Sequence, residues 1–329
     1  MNTQEHPFAP FVRVLGKGKK GSRSLTQPEA REAMGMILDD QVRPEQLGAF
    51  LMLLRVKEES PDELAGFVQA VRERMGRPLD LRADVDWSTY AGKKNHLPWF
   101  LLSALTLSAS GRRVVMHGAP GHTAGRIYVE DLLGLFGLHA VSDWAQTGTE
   151  LDQRRFAYVP LRVLSPKLDE LIQLRPILGL RSPVHTLCRV LNPLDAEYRI
   201  DGVFHPAYGP MHQRTAMLLH HPCAVTVRGD GGEAEIKPDS DCSLQWVAGG
   251  EYRESTWPRL LSRRLTKDER LEPEQLLAVW RGEAEHPYGE AAVQETLAVM
   301  MVLMGEARAV DLARVRAREL WQGRDRSAY

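Results

Sequence analysis

The sequence predicts an α/β protein of two domains, a helical bundle at the N-terminus and a larger α/β domain with a mostly parallel central sheet. Its 329 residues suffice for about two domains. Residues 7–76 show apolar side chains at helical spacing only, whereas short apolar runs alternate with helical stretches from about residue 80. That alternation is typical of parallel sheets with covering helices.

Helix signals are clear in the N-terminal region. Four apolar side chains at helical spacing, followed by Gly16, predict a short first helix. Thr26 with Glu29, and Ser60 with Glu63, form capping boxes that predict two further helix starts. A leucine stripe between them predicts another helix. The connections are short, so we expect a compact helical domain.

Strand and helix signals alternate in the second region. Buried strands are predicted at 113–116, 156–159 and 223–227, and helices at 127–136 and 210–219. The tail from Pro273 onward has helical periodicity.

Composition limits the function classes. Lys plus Arg is 42 and Asp plus Glu is 43, a net charge of -1, so nucleic-acid affinity would require a local basic surface. The three cysteines, without any CxxC spacing, favour buried thiols in the cytoplasm. No secretory signal is recognisable at the N-terminus. The longest uncharged run, 95–111, is too short for a membrane span, so we expect no membrane partner.

A glycine-rich basic segment follows the first predicted helix. It matches GxGxxG literally, but a helix precedes it and the next helix starts only after Thr26, so we reject a dinucleotide site. Its cations predict contacts to a phosphate backbone, with an exposed solvated loop as the alternative. These cations are Arg13, Lys17, Lys19, Lys20 and Arg23.

The segment 86–95 is expected to enter the α/β domain just before a helix that starts near Pro98. Small residues and two lysines, Lys93 and Lys94, ahead of a helix predict an anion site, and Tyr90 is placed to stack on a base. A hinge loop with a packed tyrosine is the alternative.

A basic stripe is predicted further along the chain. Ser182 is expected to cap a helix that runs to Leu191, which would place Arg181, His185 and Arg189 on one face. With Arg175 upstream, the stripe could follow a phosphate backbone. An ordinary solvated helix face is the alternative.

Two carboxylates after the third predicted strand are a candidate metal site. If the strand continued, Glu233 and Glu235 would point to one side and could hold Mg²⁺. A surface hairpin with exposed acids is the competing interpretation. No HExxH spacing and no nucleophile signature occurs in the sequence.

Several segments together resemble glycosyl transferase family 3, the anthranilate phosphoribosyltransferase fold. They are LGKGKKGSRSL, TYAGKKN, VVMHG, VEDLLGLFGL, LGLRSPVHTLCRVLNP and VRGDGGEAE. The YbiB-type branch, whose members bind nucleic acid, is the most similar. The resemblance implies a nucleoside phosphorylase/phosphoribosyltransferase-like fold with a domain at 1–78, completed by helices near 166–191, and a second at 79–165 and 192–329. It also implies a homodimer joined through the helical domains.

Departures from the enzymes guide the functional prediction. The enzymes' GTGGD loop is replaced here by Tyr90, Ala91, Gly92 and two lysines. Their Lys-His-Gly-Asn motif becomes Met116, His117, Gly118 and Ala119, which removes a cation and an amide. Their Asp-Glu metal pair becomes Ala234 and Glu235, while Arg181 matches the arginine that binds the anthranilate carboxylate.

We therefore predict a homodimer that binds single- or double-stranded nucleic acid without sequence preference and without a cofactor, through its interdomain cations. The alternative is a phosphoribosyltransferase that uses 5-phosphoribosyl 1-diphosphate, Mg²⁺ and an aromatic amine or base. Under that alternative Glu233 and Glu235 hold the metal, and Arg181 orients the acceptor. Substrate contacts would then come from Tyr90, Ala91, Gly92, Lys93, His117, Gly118 and Arg181.

Overall fold

The computed structural model describes residues 4–18, 20–264 and 270–329. Its first part is helical, and both capping boxes are present as expected. The oxygen of Thr26 accepts from the Glu29 N–H, and Ser60 does the same for Glu63. The helices are α1 Ala9–Gly16, α2 Gln27–Leu38, α3 Pro44–Lys57 and α4 Pro61–Arg72.

The remaining chain forms an α/β domain. Its strands are β1 Val85–Thr89, β2 Val114–Gly118, β3 Phe156–Pro160, β4 Tyr198–Gly202, β5 Cys223–Val227, β6 Cys242–Ala248 and β7 Glu251–Trp257. Its helices are α5 Phe100–Ala109, α6 Trp144–Arg154, α7 Leu161–Leu164, α8 Pro166–Ile172, α9 Arg175–Leu178, α10 Val184–Leu187, α11 Tyr208–Leu218, α12 Glu274–Arg281, α13 Pro287–Leu303 and α14 Val310–Gln322. Short 3-10 helices occupy Val129–Phe136, Cys188–Val190 and Asp230–Gly232.

The seven strands make one sheet in the order β3-β2-β1-β4-β5-β6-β7. The first five of these are parallel, and β6 and β7 add an antiparallel ribbon at one edge. The strand order reverses between β1 and β4. In open α/β sheets, ligands bind outside the carboxyl ends of the strands at such a reversal.

Both faces of the sheet are covered, so its central strands are apolar throughout. In β2, Val114 and Met116 point into a cluster with α5, α13 and α14, whereas Val115 points the other way. The second cluster joins α1–α4 to apolar residues between 161 and 196. The α1–α4 bundle is therefore packed together with a segment that follows β3.

The expected fold class is confirmed, with local corrections. The predicted helix from Ser182 to Leu191 is wrong, because α10 covers only Val184–Leu187 and the chain then tightens into a 3-10 helix. Pro183, and not Ser182, occupies the cap position. The stretch at 127–136 is likewise a 3-10 helix, Val129–Phe136. Within the described ranges, every helix is too short or too polar to cross a membrane.

Gly66 in α4 is placed where α4 meets α2. A Cβ there would lie 2.8 Å from the Ala30 Cβ and against the Gln27 carbonyl oxygen. We expect Gly66→Ala to lower the free energy of unfolding by about 1–3 kcal/mol, as overpacking does. Urea denaturation measures this change.

Gly48 in α3 is the matched control, because a Cβ there meets nothing within 4 Å. Gly48→Ala should stabilise the protein by about 0.5–1 kcal/mol through helix propensity. Equal effects of the two substitutions would contradict the close approach of α2 and α4.

Candidate functional site

The candidate site lies at the carboxyl ends of the central strands. The loop that follows β1, residues 90–93, meets the segment that follows β5, residues 228–235, across the reversal between β1 and β4. The segment after β4 and the helix α10 form the neighbouring wall. These are the positions at which the fold is expected to bind ligands.

An internal carboxylate occupies the loop after β1. The backbone N–H groups of Ala91 and Gly92 donate to Glu233 Oε1, at 2.7 and 2.5 Å. Gly92 has φ +66°, and a Cβ there would lie 3.0 Å from the Arg126 Cβ, so the loop needs glycine at this position. Two converging N–H groups form a small anion-binding nest. Here the nest is filled by the chain itself.

Lys93 is fully buried, which corrects its predicted role as a contact for nucleic acid. Its Nζ lies 2.5 Å from Glu235 Oε1 and 2.9 Å from Asp230 Oδ2. Burial works to lower the pKa of Lys93, but the two carboxylates outweigh it and leave that pKa above its usual value. Lys94, the next residue, is exposed.

The predicted carboxylate pair does not form a magnesium site. The chain leaves β5 and turns into the 3-10 helix Asp230–Gly232, so no strand carries Glu233 and Glu235 on one face. Glu233 accepts from loop amides, and Glu235 accepts from Lys93 and from the Phe100 N–H. Among the described residues, no group of three or more acids, histidines or cysteines is arranged to hold a metal. Both carboxylates are thus engaged by groups of the chain itself, and we assign no step to a metal.

Tyr90 and His117 form a buried hydrogen bond with each other, which corrects their predicted contacts to a ligand. Tyr90 Oη lies 2.7 Å from His117 Nδ1, and His117 Nε2 lies 3.2 Å from Asp86 Oδ1. All three side chains are buried, so the Tyr90 ring is not available for stacking. Gly118 is closely packed beside these side chains, since a Cβ there would lie 2.6 Å from Tyr158 Oη.

A cavity that opens to solvent lies beside this closed loop. The bundle contributes two charged residues from α3 and its C-terminal turn, and the α/β domain contributes the rest. Its lining is Arg55, Glu59, Arg181, Ser182, Pro183, His185, Thr186, Arg189, Val203, Phe204, His205, Tyr208 and His212.

The predicted basic stripe reaches this cavity, but it is not a solvated helix face. Arg181 donates to Thr123 Oγ1 at 3.3 Å, and Arg189 donates to the His185 carbonyl oxygen at 3.0 Å. Neither arginine forms an ion pair with a carboxylate in the described part of the chain. Burial and neighbouring arginines lower the pKa of Arg181 to about 10.

His185 is buried against His122, with ring centroids 4.9 Å apart. Burial, His122 and Arg189 lower the pKa of His185 to about 2, and burial and Arg181 lower that of His122 to about 4. Both rings are therefore neutral between pH 5 and 8. His185 therefore adds no positive charge to the predicted basic stripe at neutral pH.

The N-terminal cations that the structure describes are exposed, but some are paired. Arg13 forms an ion pair with Glu5, and Arg23 binds both oxygens of Glu29 at 2.7 Å. Lys17 and Lys20 are exposed without an ion pair among the described residues, and Lys19 lies outside them. Arg175 turns inward and donates to the His122 carbonyl oxygen at 3.1 Å.

Sequence reasoning missed several residues of the site. Arg126 donates to the carbonyl oxygens of Ala91 and Gly92 at 2.9 and 2.8 Å and holds the loop from outside. Glu59 and His212 reach the cavity from the connection between α3 and α4 and from α11. No local spacing marks these residues, since each is brought to the site by a different element.

Known proteins share this architecture. Residues 12–75 match the family model described as the glycosyl transferase family helical bundle domain. Anthranilate phosphoribosyltransferase of Methylobacterium nodulans is 28% identical over 94% of this chain and 96% of the relative. The uncharacterized protein YbiB of Escherichia coli is 26% identical over 61% of this chain, and the aligned region spans 64% of YbiB.

Solved structures agree on the fold. Anthranilate phosphoribosyltransferase (TrpD) from Thermus thermophilus matches with a TM-score of 0.78 and 21% identity, over 96% of this chain and 94% of that one. The Saccharomyces cerevisiae enzyme in complex with PRPP and Mg also has a TM-score of 0.78, with 15% identity over 97% of this chain and 94% of that one. The chain thus has the anthranilate phosphoribosyltransferase-like fold.

The Glu233 carboxylate occupies the N–H groups of Ala91 and Gly92. Replacing Glu233 by Ala should free the N–H groups of Ala91 and Gly92 for an external anion. We expect the affinity for inorganic pyrophosphate to rise at least about tenfold, because hydrogen bonds to charged groups contribute roughly 1.5–3 kcal/mol each. Isothermal titration calorimetry measures this affinity.

Glu233→Gln is the matched control, since its amide oxygen still accepts from the loop and keeps the nest filled. That variant should bind pyrophosphate like the unaltered protein. Equal pyrophosphate affinity for Glu233→Ala and the unaltered protein would show that the carboxylate does not block the nest.

Proposed function

We propose that the protein is a phosphoribosyltransferase that takes an aromatic amine or base in the cavity and 5-phosphoribosyl 1-diphosphate at the loop 90–93. The single observation that carries the proposal is the cavity itself. It lies at the strand-order reversal of this fold, and Arg181 and Arg189 reach it without an ion pair in the described chain. Unpaired arginines at the edge of a cavity favour an anionic ligand.

The comparisons support the same function. A relative that aligns over nearly the whole chain is an anthranilate phosphoribosyltransferase, and a structural relative is described in complex with PRPP and Mg. In such a transfer, the acceptor nitrogen forms a bond to ribose C1 and loses its proton. The bond from C1 to the diphosphate breaks, and pyrophosphate leaves with the electron pair.

The donor side of this chain differs from an open diphosphate site. Glu233 fills the nest of Ala91 and Gly92, and Lys93 is held between two carboxylates. A diphosphate must displace Glu233 before it can bind those N–H groups. We therefore expect weak binding of the diphosphate donor. The acceptor cavity, by contrast, is already formed in the structure.

Transfer is tested by pyrophosphate release from 5-phosphoribosyl 1-diphosphate, with Mg²⁺, across a panel of aromatic amines and bases. We expect release with one acceptor class and a loss of at least about tenfold in Arg181→Ala, which removes a charge-assisted hydrogen bond. Anthranilate turnover should stay well below the median enzyme value of about 10 per second, because Met116 and Ala119 replace a cation and an amide.

Arg318→Ala, an exposed arginine of α14, serves as the control and should leave release unchanged. If no acceptor in the panel gives release above the acceptor-free rate, the protein is not a phosphoribosyltransferase. Anthranilate conversion near the median rate would contradict the argument from Met116 and Ala119.

Nucleic-acid binding without sequence preference is the second candidate. The observation that favours it is a set of exposed lysines, Lys17, Lys20 and Lys94, which form no ion pairs within the described ranges. Phosphate contacts from such residues position a strand but do not read its sequence.

Labelled oligonucleotides at several salt concentrations test this candidate. Each phosphate contact on a single strand contributes about 0.7 to the slope of log affinity against log salt. Lys17→Ala with Lys20→Ala should lower that slope by about 1.4 for unrelated sequences alike. Arg318→Ala should lower the slope less than the lysine pair does. Affinity that is independent of salt would exclude this mode of binding.

A further inference from the structure

The cavity holds four polar atoms whose hydrogen-bonding capacity is unused. Glu59 Oε2, Ser182 Oγ, His185 Nε2 and His212 Nε2 are buried and lack a hydrogen-bond partner in the described chain. All four residues line the same cavity. Buried polar groups are nearly always paired, so such a convergence indicates a missing polar ligand.

The hydrogen positions on the two imidazoles can be inferred from their partners. His185 Nδ1 lies 3.2 Å from the Ser182 carbonyl oxygen, and His212 Nδ1 lies 2.8 Å from Asp201 Oδ1. A carbonyl and a carboxylate only accept, so each Nδ1 carries the hydrogen. In a neutral ring, Nε2 is then a bare acceptor. The low pKa of His185, caused by its burial, keeps that ring neutral.

Asp201 holds the His212 ring in this orientation. Its second oxygen lies 2.8 Å from Arg199 Nη2, and all three side chains are buried. A buried carboxylate that fixes an imidazole in one tautomer is a general device for presenting Nε2 to a ligand. When the His212 ring is neutral, the cavity presents two acceptor nitrogens, which match two N–H donors on a ligand.

Aromatic and cationic groups complete the cavity. Phe204 is 59% exposed although it lines the cavity, so one face of its ring is open for stacking. Tyr208 Oη accepts from Arg55 Nη1 at 3.2 Å. Arg181 and Arg189 supply positive charge for an anion attached to the ring. The cavity thus combines an aromatic ring, two imidazole Nε2 atoms and two arginine side chains.

We propose that the cavity recognises a nucleobase of a nucleotide. The base edge donates N–H groups to His185 and His212, its ring stacks on Phe204, and its phosphate lies near Arg181 and Arg189. This inference concerns the same cavity as the proposed function, but it concerns binding alone. The base of a nucleotide already carries a ribose, so the nucleotide is bound there as a ligand and not as the acceptor of the transfer. The same chemistry is available from a free nucleotide or from a base in a single strand.

Calorimetric titration with nucleotides, without any phosphoribosyl donor, tests the inference. Guanosine 5′-monophosphate carries adjacent N1–H and amino donors, and its N1-methyl derivative lacks the first. We expect methylation to weaken binding about tenfold or more, because a buried acceptor is left unpaired. His212→Gln should reduce this discrimination, and Phe204→Ala should weaken both nucleotides about equally.

Tyr252→Ala, an exposed aromatic of β7, is the control and should bind both nucleotides like the unaltered protein. Because Phe204 is exposed, its variant tests the site even if His212→Gln fails to fold. Thermal melting identifies that case. A guanine-containing tetranucleotide that binds more tightly than the mononucleotide assigns the site to a strand, and equal affinity assigns it to free nucleotides.

Equal binding of the methylated and unmethylated nucleotides would overturn the inference. So would anthranilate binding that is stronger than nucleotide binding and depends on His212, since the cavity would then take an aromatic amine. Failure of phosphoribosyl transfer alone would contradict the proposed function but not this inference, because no donor is present in the titration.

Discussion

The burial of one ammonium group determines the shape of the site. Lys93 lies in the interior, where an uncompensated charge would cost several kcal/mol. Glu235 and Asp230 provide the compensation, and both come from the segment that follows β5. Because these two carboxylates pair with Lys93, the segment that follows β5 packs against the loop after β1. Glu233, two positions before Glu235, is thereby delivered to the amides of Ala91 and Gly92.

The acceptor cavity lies beside this closed cluster and depends on both domains. Arg55 and Glu59 belong to the bundle, whereas Arg181, His185 and His212 come from segments around α10 and α11. Burial raises the pKa of Glu59, and the nearby Arg55 opposes that shift. A ligand in the cavity therefore meets side chains contributed by both domains.

Local signals predicted much of the fold, and long-range contacts explain where they failed. The boxes at Thr26 and Ser60 and the apolar strand Cys223–Val227 are visible in a few consecutive residues. The burial of Lys93 is not visible in consecutive residues, because its partner Glu235 lies 142 positions further along the chain. The spacing of Arg181, His185 and Arg189 suggested one exposed stripe. It could not show that His122 would cover the middle residue.

The order of synthesis gives the shared apolar cluster a further meaning. Helices α1–α4 are made before β1–β3, yet the cluster that buries them also draws on residues 161–196, which are made after β1–β3. Until those residues leave the ribosome, part of the apolar surface of the bundle has no native cover. Uncovered apolar surface of this kind is what chaperones bind and what drives aggregation of incomplete chains. The α1–α4 bundle is thus among the later parts to reach its final packing.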